Sequence, residues 1–164
     1  MIDFWRSAIR QQFHAAIDML ANAIEACPDS VWLGEGRGAF WYLAFHTLFF
    51  VDLYHSPVGE DQFQPPPPFD KGELEDAVVL PEIAYSKDQL LSYLNHCRRK
   101  LEAVMAGMTE DWATASCPFD YRAMSNGELL LYNMRHVQHH AAQLNLLLRQ
   151  KTASAPRWVS KGGR

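Results

Sequence analysis

The sequence predicts an all-α protein, because helical periodicity recurs in four segments and strand signals are nearly absent. The β-like run Val78-Val79-Leu80 is short and is followed directly by Pro81. The chain has 164 residues, of which 48% are hydrophobic, enough to bury the core of one ordinary domain. We therefore predict a single four-helix-bundle domain over residues 1–151, followed by a loosely attached C-terminal tail over residues 152–164.

The first helix is predicted over residues 2–26, where apolar side chains recur at spacings of three and four. We expect it to end at Cys27, because the residue before a proline avoids the helical conformation and Pro28 follows. The second helix is predicted from about residue 38 to residue 55, where Ser56-Pro57 ends it. It is apolar on nearly every side, which is typical of a helix in the protein interior.

The third helix is predicted over residues 86–107, with Ser86 as its N-cap and Gly107 as the glycine that follows its last turn. The fourth begins at Ser125-Asn126-Gly127-Glu128, which matches the capping-box pattern, and continues to about residue 150.

The connections between helices constrain the topology. Links of about ten residues after the first helix and about seventeen after the third suit antiparallel neighbours, whereas residues 56–85 form a longer Pro-rich connection that contains Pro65–Pro68. Such a segment easily spans the length of a helix. The second and third helices can therefore run parallel, in an up-down-down-up bundle, or antiparallel, in a simple meander.

Composition excludes several classes of protein. The net charge of −4 offers no general attraction to phosphate backbones, so we expect no nucleic-acid partner. No apolar run reaches the roughly 20 residues that a bilayer span needs, so we expect no membrane association. The three cysteines lack paired spacing, which favours reduced thiols and a cytoplasmic location.

Three of the seven histidines lie where a bundle normally has leucine. His136 and His140 are one turn apart on the inward side of the fourth helix, whereas His139 points to a more exposed side. His46 lies in the middle of the apolar second helix.

A buried imidazole needs a polar partner. Three neutral imidazoles can surround one divalent ion and leave a coordination position open for water or substrate. Alternatively, each histidine is hydrogen-bonded internally, to a backbone carbonyl or a tyrosine, in a plain interaction bundle. The residues alone leave both hypotheses open.

Other polar residues of these helices receive simpler interpretations. Asp52 is either a carboxylate behind the histidines or a charge on the helix surface, and we favour the surface. We expect His14, His55 and His96 at the surface or at interfaces. Tyr132 and Asn133, one turn before His136, are expected close to the histidines.

Residues 41–50 (WYLAFHTLFF) and 136–144 (HVQHHAAQL) resemble the DinB/YfiT superfamily, whose members have a histidine in the second helix and H-x-x-x-H on the last. The resemblance implies an up-down-down-up four-helix bundle, frequently a homodimer, with zinc, nickel or another divalent ion. By position, His46, His136 and His140 inherit the ligand role. Ala141 and Ala142 stand where the family often has Arg-Gly, so a function that depends on that arginine is not carried over.

The resemblance also implies a class of activity. Members with assigned chemistry are metal-dependent enzymes of thiol-transferase or hydrolase type, so the implied partner is a small molecule such as a low-molecular-weight thiol. The alternative is a non-catalytic, ligand-binding or stress-associated dimeric bundle. No catalytic side chain is assigned from the sequence.

Overall fold

The computed structural model describes residues 1–34, 36–75, 80–119 and 121–162. Within these ranges the chain forms six α-helices and no β-strand, which confirms the predicted all-α class. They are α1 (Ile2–Ala26), α2 (Asp29–Trp32), α3 (Phe40–Tyr54), α4 (Lys87–Gly107), α5 (Glu110–Thr114) and α6 (Asn126–Thr152). Of the β-like run, Val78 and Val79 lie outside the described residues.

The four long helices α1, α3, α4 and α6 are the four that the periodicity predicts. Ser86 and Ser125 cap α4 and α6, each with a complete capping box. The expectation for Gly107 is wrong: it is the last residue of α4, and the extended backbone of Met108 ends the helix. The one-turn helices α2 and α5 were not predicted, because they are too short to show a hydrophobic period.

The helices pack in pairs around one core. α1 and α3 each contact both α4 and α6. Later residues of α3 meet later residues of α4: the Phe45 ring lies 4.8 Å from Tyr85 just before α4 begins, and Asp52 bonds to Lys100.

Between α3 and α6 the order is reversed. The His46 ring lies 4.9 Å from that of His140, and the Tyr54 ring lies 5.6 Å from that of Tyr132, nearer the start of α6. The same reversed order relates α1 to α4, since Arg6 donates to the carbonyl of Met108 while Arg98 donates to Asp18.

The segment between α3 and α4 is anchored in the core by two aromatic side chains. Phe63 and Phe69 are both buried, and Phe69 stacks on Tyr93 of α4 with ring centroids 4.1 Å apart. A 3-10 turn at Gly72–Leu74 follows and buries the side chain of Glu73. The connection between α3 and α4 therefore places the Glu73 carboxylate in the protein interior.

The last described residues lie along α1. The Gly162 amide donates to the carbonyl of Gln11 over 3.1 Å, and the Gln12 side chain donates to the carbonyl of Ser160. A Cβ atom on Gly162 would lie 2.2 Å from the backbone nitrogen of Ala15, so only glycine fits this contact. Trp158 remains 68% exposed.

Several polar residues are more buried than expected. Asp52 is fully buried because α4 supplies its partners: Lys100, the Tyr93 hydroxyl at 3.0 Å and His96 at 3.2 Å. Its expected surface position is therefore wrong. His14 and His55 are also buried, so of the two positions expected for them the surface is wrong. Among the described helices, none is long and apolar enough to cross a membrane.

Candidate metal centre

Helices α3 and α6 bring His46, His136 and His140 together. One ring nitrogen from each lies within 4.8 Å of the other two. The Nε2 atoms of His46 and His136 are 3.4 Å apart. Two nitrogens that each lie about 2.0–2.1 Å from a tetrahedral ion are separated by about 3.4 Å, so this spacing fits a shared divalent ion.

The local structure explains why these three side chains meet. His136 and His140 are one turn apart on α6, so their rings lie one above the other, with centroids 4.6 Å apart. His46 reaches them from the middle of α3. All three are partly exposed, and 26% of the His46 side chain remains accessible. His139 is exposed, in agreement with its predicted side of the helix.

Glu73 orients the His46 ring. Its carboxylate accepts a hydrogen bond from Nδ1 of His46 over 2.9 Å, and its side chain is only 3% exposed. A proton held on Nδ1 leaves the lone pair of His46 on Nε2, the atom that faces His136. A carboxylate bonded to the outer nitrogen of a ligating histidine also makes that histidine more basic toward a metal.

His140 is oriented in a similar way. Its Nδ1 lies 2.7 Å from Oε1 of Gln143, one turn further along α6, so the N–H of Nδ1 donates to that amide oxygen. The lone pair of His140 then lies on Nε2. Nδ1 of His136 is buried and has no hydrogen-bond partner among the described residues.

His136 and His140 are uncharged at neutral pH. Burial lowers the pKa of His136 to about 3, and the neighbouring His140 and His46 lower it further. Burial likewise lowers the pKa of His140 to about 4, against the opposing effect of its bond to Gln143. Neutral imidazole is the form that binds metal, so these two side chains need lose no proton to do so.

Aromatic rings close one side of the group. The Phe50 ring lies 4.9 Å from that of His46 and 5.7 Å from that of His136. Burial, reinforced by the Glu73 carboxylate, raises the pKa of Tyr42 well above its usual value. Tyr42 therefore stays a neutral phenol beside the site.

A positive charge lies within electrostatic reach of the histidines. The Arg122 guanidinium lies over the Tyr132 ring, 4.4 Å from its centroid, and donates to the Tyr54 hydroxyl over 2.8 Å. It contributes to the low pKa of His136. Tyr132 thus packs against Tyr54 and Arg122, whereas Asn133 is fully buried and donates to the backbone carbonyl of Val51.

Within the part of the chain that the structure describes, the group has three possible ligands and no fourth histidine, cysteine, aspartate or glutamate. Cys27, Cys97 and Cys117 are all buried and free, and none belongs to the group. Such an arrangement leaves an ion accessible to a fourth, external ligand.

Sequence reasoning missed Glu73 and Arg122. Glu73 is 27 residues from His46 in the chain, on a connection without periodicity, so no spacing links the two. Arg122 precedes α6 in another irregular segment. Gln143 could have been found, since a residue three positions after His140 on a helix is its neighbour.

Comparison with known proteins identifies one family. The sequence model of the DinB superfamily matches residues 12–144, a range that includes all three histidines and Glu73. This match confirms the resemblance drawn from the two histidine-containing stretches. No curated protein and no solved structure matches the chain.

Proposed function

We propose, since the chain belongs to the DinB superfamily, that His46, His136 and His140 bind one divalent metal ion, zinc or nickel. The observation that carries this proposal is the 3.4 Å separation of two Nε2 atoms, one of which is freed for coordination by the bond from Nδ1 to Glu73. Imidazole nitrogens suit zinc and nickel better than the hard cations calcium and magnesium.

We also propose that the four long helices form an up-down-down-up bundle. The order of contacts supports this: α3 and α4 pair in the same direction, whereas α3 with α6 and α1 with α4 pair in opposite directions. In this arrangement the long segment between α3 and α4 returns along the bundle, which places Glu73 beside His46.

We infer a metal-dependent enzyme of thiol-transferase or hydrolase type. A bound ion supplies Lewis acidity, which lowers the pKa of a coordinated thiol or water. The three histidines hold one side of the site and leave the other to a substrate. Phe50 excludes water from one flank, and Arg122 attracts an anionic group. Because the three cysteines are buried elsewhere, the reacting thiol would come from a separate small molecule.

The competing function is a non-catalytic, ligand-binding dimer in which the metal is structural. A structural site is normally closed by a fourth protein ligand. The group of three found among the described residues favours the enzyme. Stoichiometric metal without turnover in thiol-transfer and hydrolysis assays would favour the competing function instead.

The test is the metal content per chain, measured by elemental mass spectrometry on protein without a polyhistidine tag. We expect about one ion per chain in the wild type, and its loss in His46→Ala, His136→Ala and His140→Ala. His139→Ala is the matched control, since His139 is exposed beside His140 and should keep the metal. Wild-type protein that is metal-free and takes up neither zinc nor nickel would contradict the proposal.

A further inference from the structure

A cavity of about 550 Å³ lies where the C-terminal ends of α3 and α4 meet the start of α6. None of the three clustered histidines lines it. Its walls are mainly apolar and include Val104, Trp112, Leu129 and Leu130. Binding sites for small organic molecules commonly have volumes of about 300–1,000 Å³ and walls of this kind.

One buried polar side chain in this wall lacks a partner. His55 is 4% exposed, and neither of its ring nitrogens makes a hydrogen bond among the described residues. The carbonyl of Val51 lies near enough to act on the pKa of His55 but outside hydrogen-bonding geometry. Burial, with Lys100 nearby, lowers that pKa to about 3, so the ring is neutral and offers one donor and one acceptor.

Lys100 is the cation of the same wall, and its charge is already compensated. Its Nζ donates to the backbone carbonyl of Asp52 over 2.7 Å and also to the Asp52 carboxylate. An ammonium group has three N–H donors, so one is left over. Together, His55 and Lys100 can therefore donate and accept hydrogen bonds, but they bring no unbalanced positive charge to the cavity wall.

We propose that this cavity binds an uncharged small molecule whose apolar body carries one group that both donates and accepts, such as a primary amide, and that His55 recognises this group. Both ring nitrogens are buried, so a turn of the His55 ring toward the cavity would let its bare nitrogen accept from an amide N–H while the amide oxygen accepts from Lys100. A carboxylate could only accept, and its charge would be buried beside the Asp52 carboxylate. The proposal is independent of the metal centre.

The binding test measures how the 164-residue chain binds two probes of equal shape, 2-naphthamide and 2-naphthoate. We expect saturable binding of the amide, at least about tenfold tighter than that of the carboxylate, as one satisfied buried hydrogen-bonding group allows. Equal or tighter binding of 2-naphthoate, or no saturable binding of the amide, would overturn the proposal.

Two variants locate the site. Ala103 is an exposed residue of α4 that lines the cavity, so Ala103→Trp should abolish amide binding by filling it. Ala106→Trp is the matched control, because Ala106 is exposed on the same helix but does not line the cavity.

His55→Leu tests the recognition residue and should remove the preference for the amide over the carboxylate. If Ala103→Trp binds the amide as the wild type does, or if His55→Leu keeps the full preference, the assignment fails. The Ala103→Trp result decides the location even if His55→Leu folds poorly.

Discussion

At the scale of single residues, the Glu73 carboxylate determines which nitrogen of His46 faces the other histidines. The bond to Nδ1 of His46 fixes the tautomer and the plane of the ring, so Glu73 would act on the proposed ion through its ligand. A neutral amide in its place could keep a hydrogen bond but would lose the negative charge.

We predict that Glu73→Gln lowers zinc affinity by about 10- to 100-fold while the three histidines remain in place. Competition with a chromophoric chelator measures this. Glu75→Gln is the matched control, since Glu75 is an exposed neighbour on the same connection. Unchanged affinity in Glu73→Gln would show that the carboxylate does not support the ligand.

A second residue-scale prediction concerns the stability cost of His55. Because its buried ring nitrogens are unpaired, His55→Leu should raise the free energy of unfolding by about 1–3 kcal/mol. Urea unfolding at pH 7 measures the change. The same substitution at exposed His139 should change the free energy by less than about 0.5 kcal/mol. A destabilised His55→Leu protein would indicate that the imidazole has partners after all.

At the scale of elements, Asp52 ties α3 to α4. Its carboxylate, buried in a mainly apolar helix, receives hydrogen bonds from Tyr93 and Lys100 and lies 3.2 Å from His96 Nε2. These contacts hold the two helices in register at their C-terminal ends, which also line the cavity beside His55.

We predict that Asp52→Asn lowers the free energy of unfolding by about 2–3 kcal/mol. Breaking a fully buried ion pair costs about 3–5 kcal/mol, and the Lys100 side chain, 23% exposed, can still turn toward water. Denaturant titration measures the loss, and adding Lys100→Met should recover part of it. Exposed Asp61 provides the control: Asp61→Asn should be neutral.

The long helices were predictable because their signals are local. Periodicity over many residues and the serines at 86 and 125 define α4 and α6, and spacing along one helix separates His136 and His140 from His139. The burial of Asp52 was not predictable, since its partners lie 41 to 48 residues away on another helix. The role of Glu73 was not predictable for the same reason, because only tertiary packing brings its side chain to His46.

At the scale of the whole molecule, three histidines couple folding to pH. The folded state holds the pKa of His55 and His136 at about 3 and that of His140 at about 4, against about 6.5 in an unfolded chain. As the pH falls through 6.5 the unfolded chain takes up protons first. Stability is therefore lost between pH 6.5 and about 3, and each histidine contributes a slope of up to about 1.4 kcal/mol per pH unit.

We predict that the metal-free protein loses stability steadily between pH 7 and pH 5, a window above the titration of most carboxylates. Urea unfolding at half-unit intervals measures the slope. His55→Leu should reduce the slope, whereas His139→Leu should leave it unchanged. Stability that is constant across this window in the wild type would contradict the prediction.

The position of Glu73 also matters for how such proteins can diverge. The three histidines lie on core helices, where a substitution would disturb the packing. Glu73 instead lies on a connection, the part of a fold that best tolerates substitutions and insertions. Two relatives with identical ligands could therefore differ in metal affinity through this loop alone. For protein engineering, the loop offers a way to change the affinity for the proposed ion without altering the helices of the bundle.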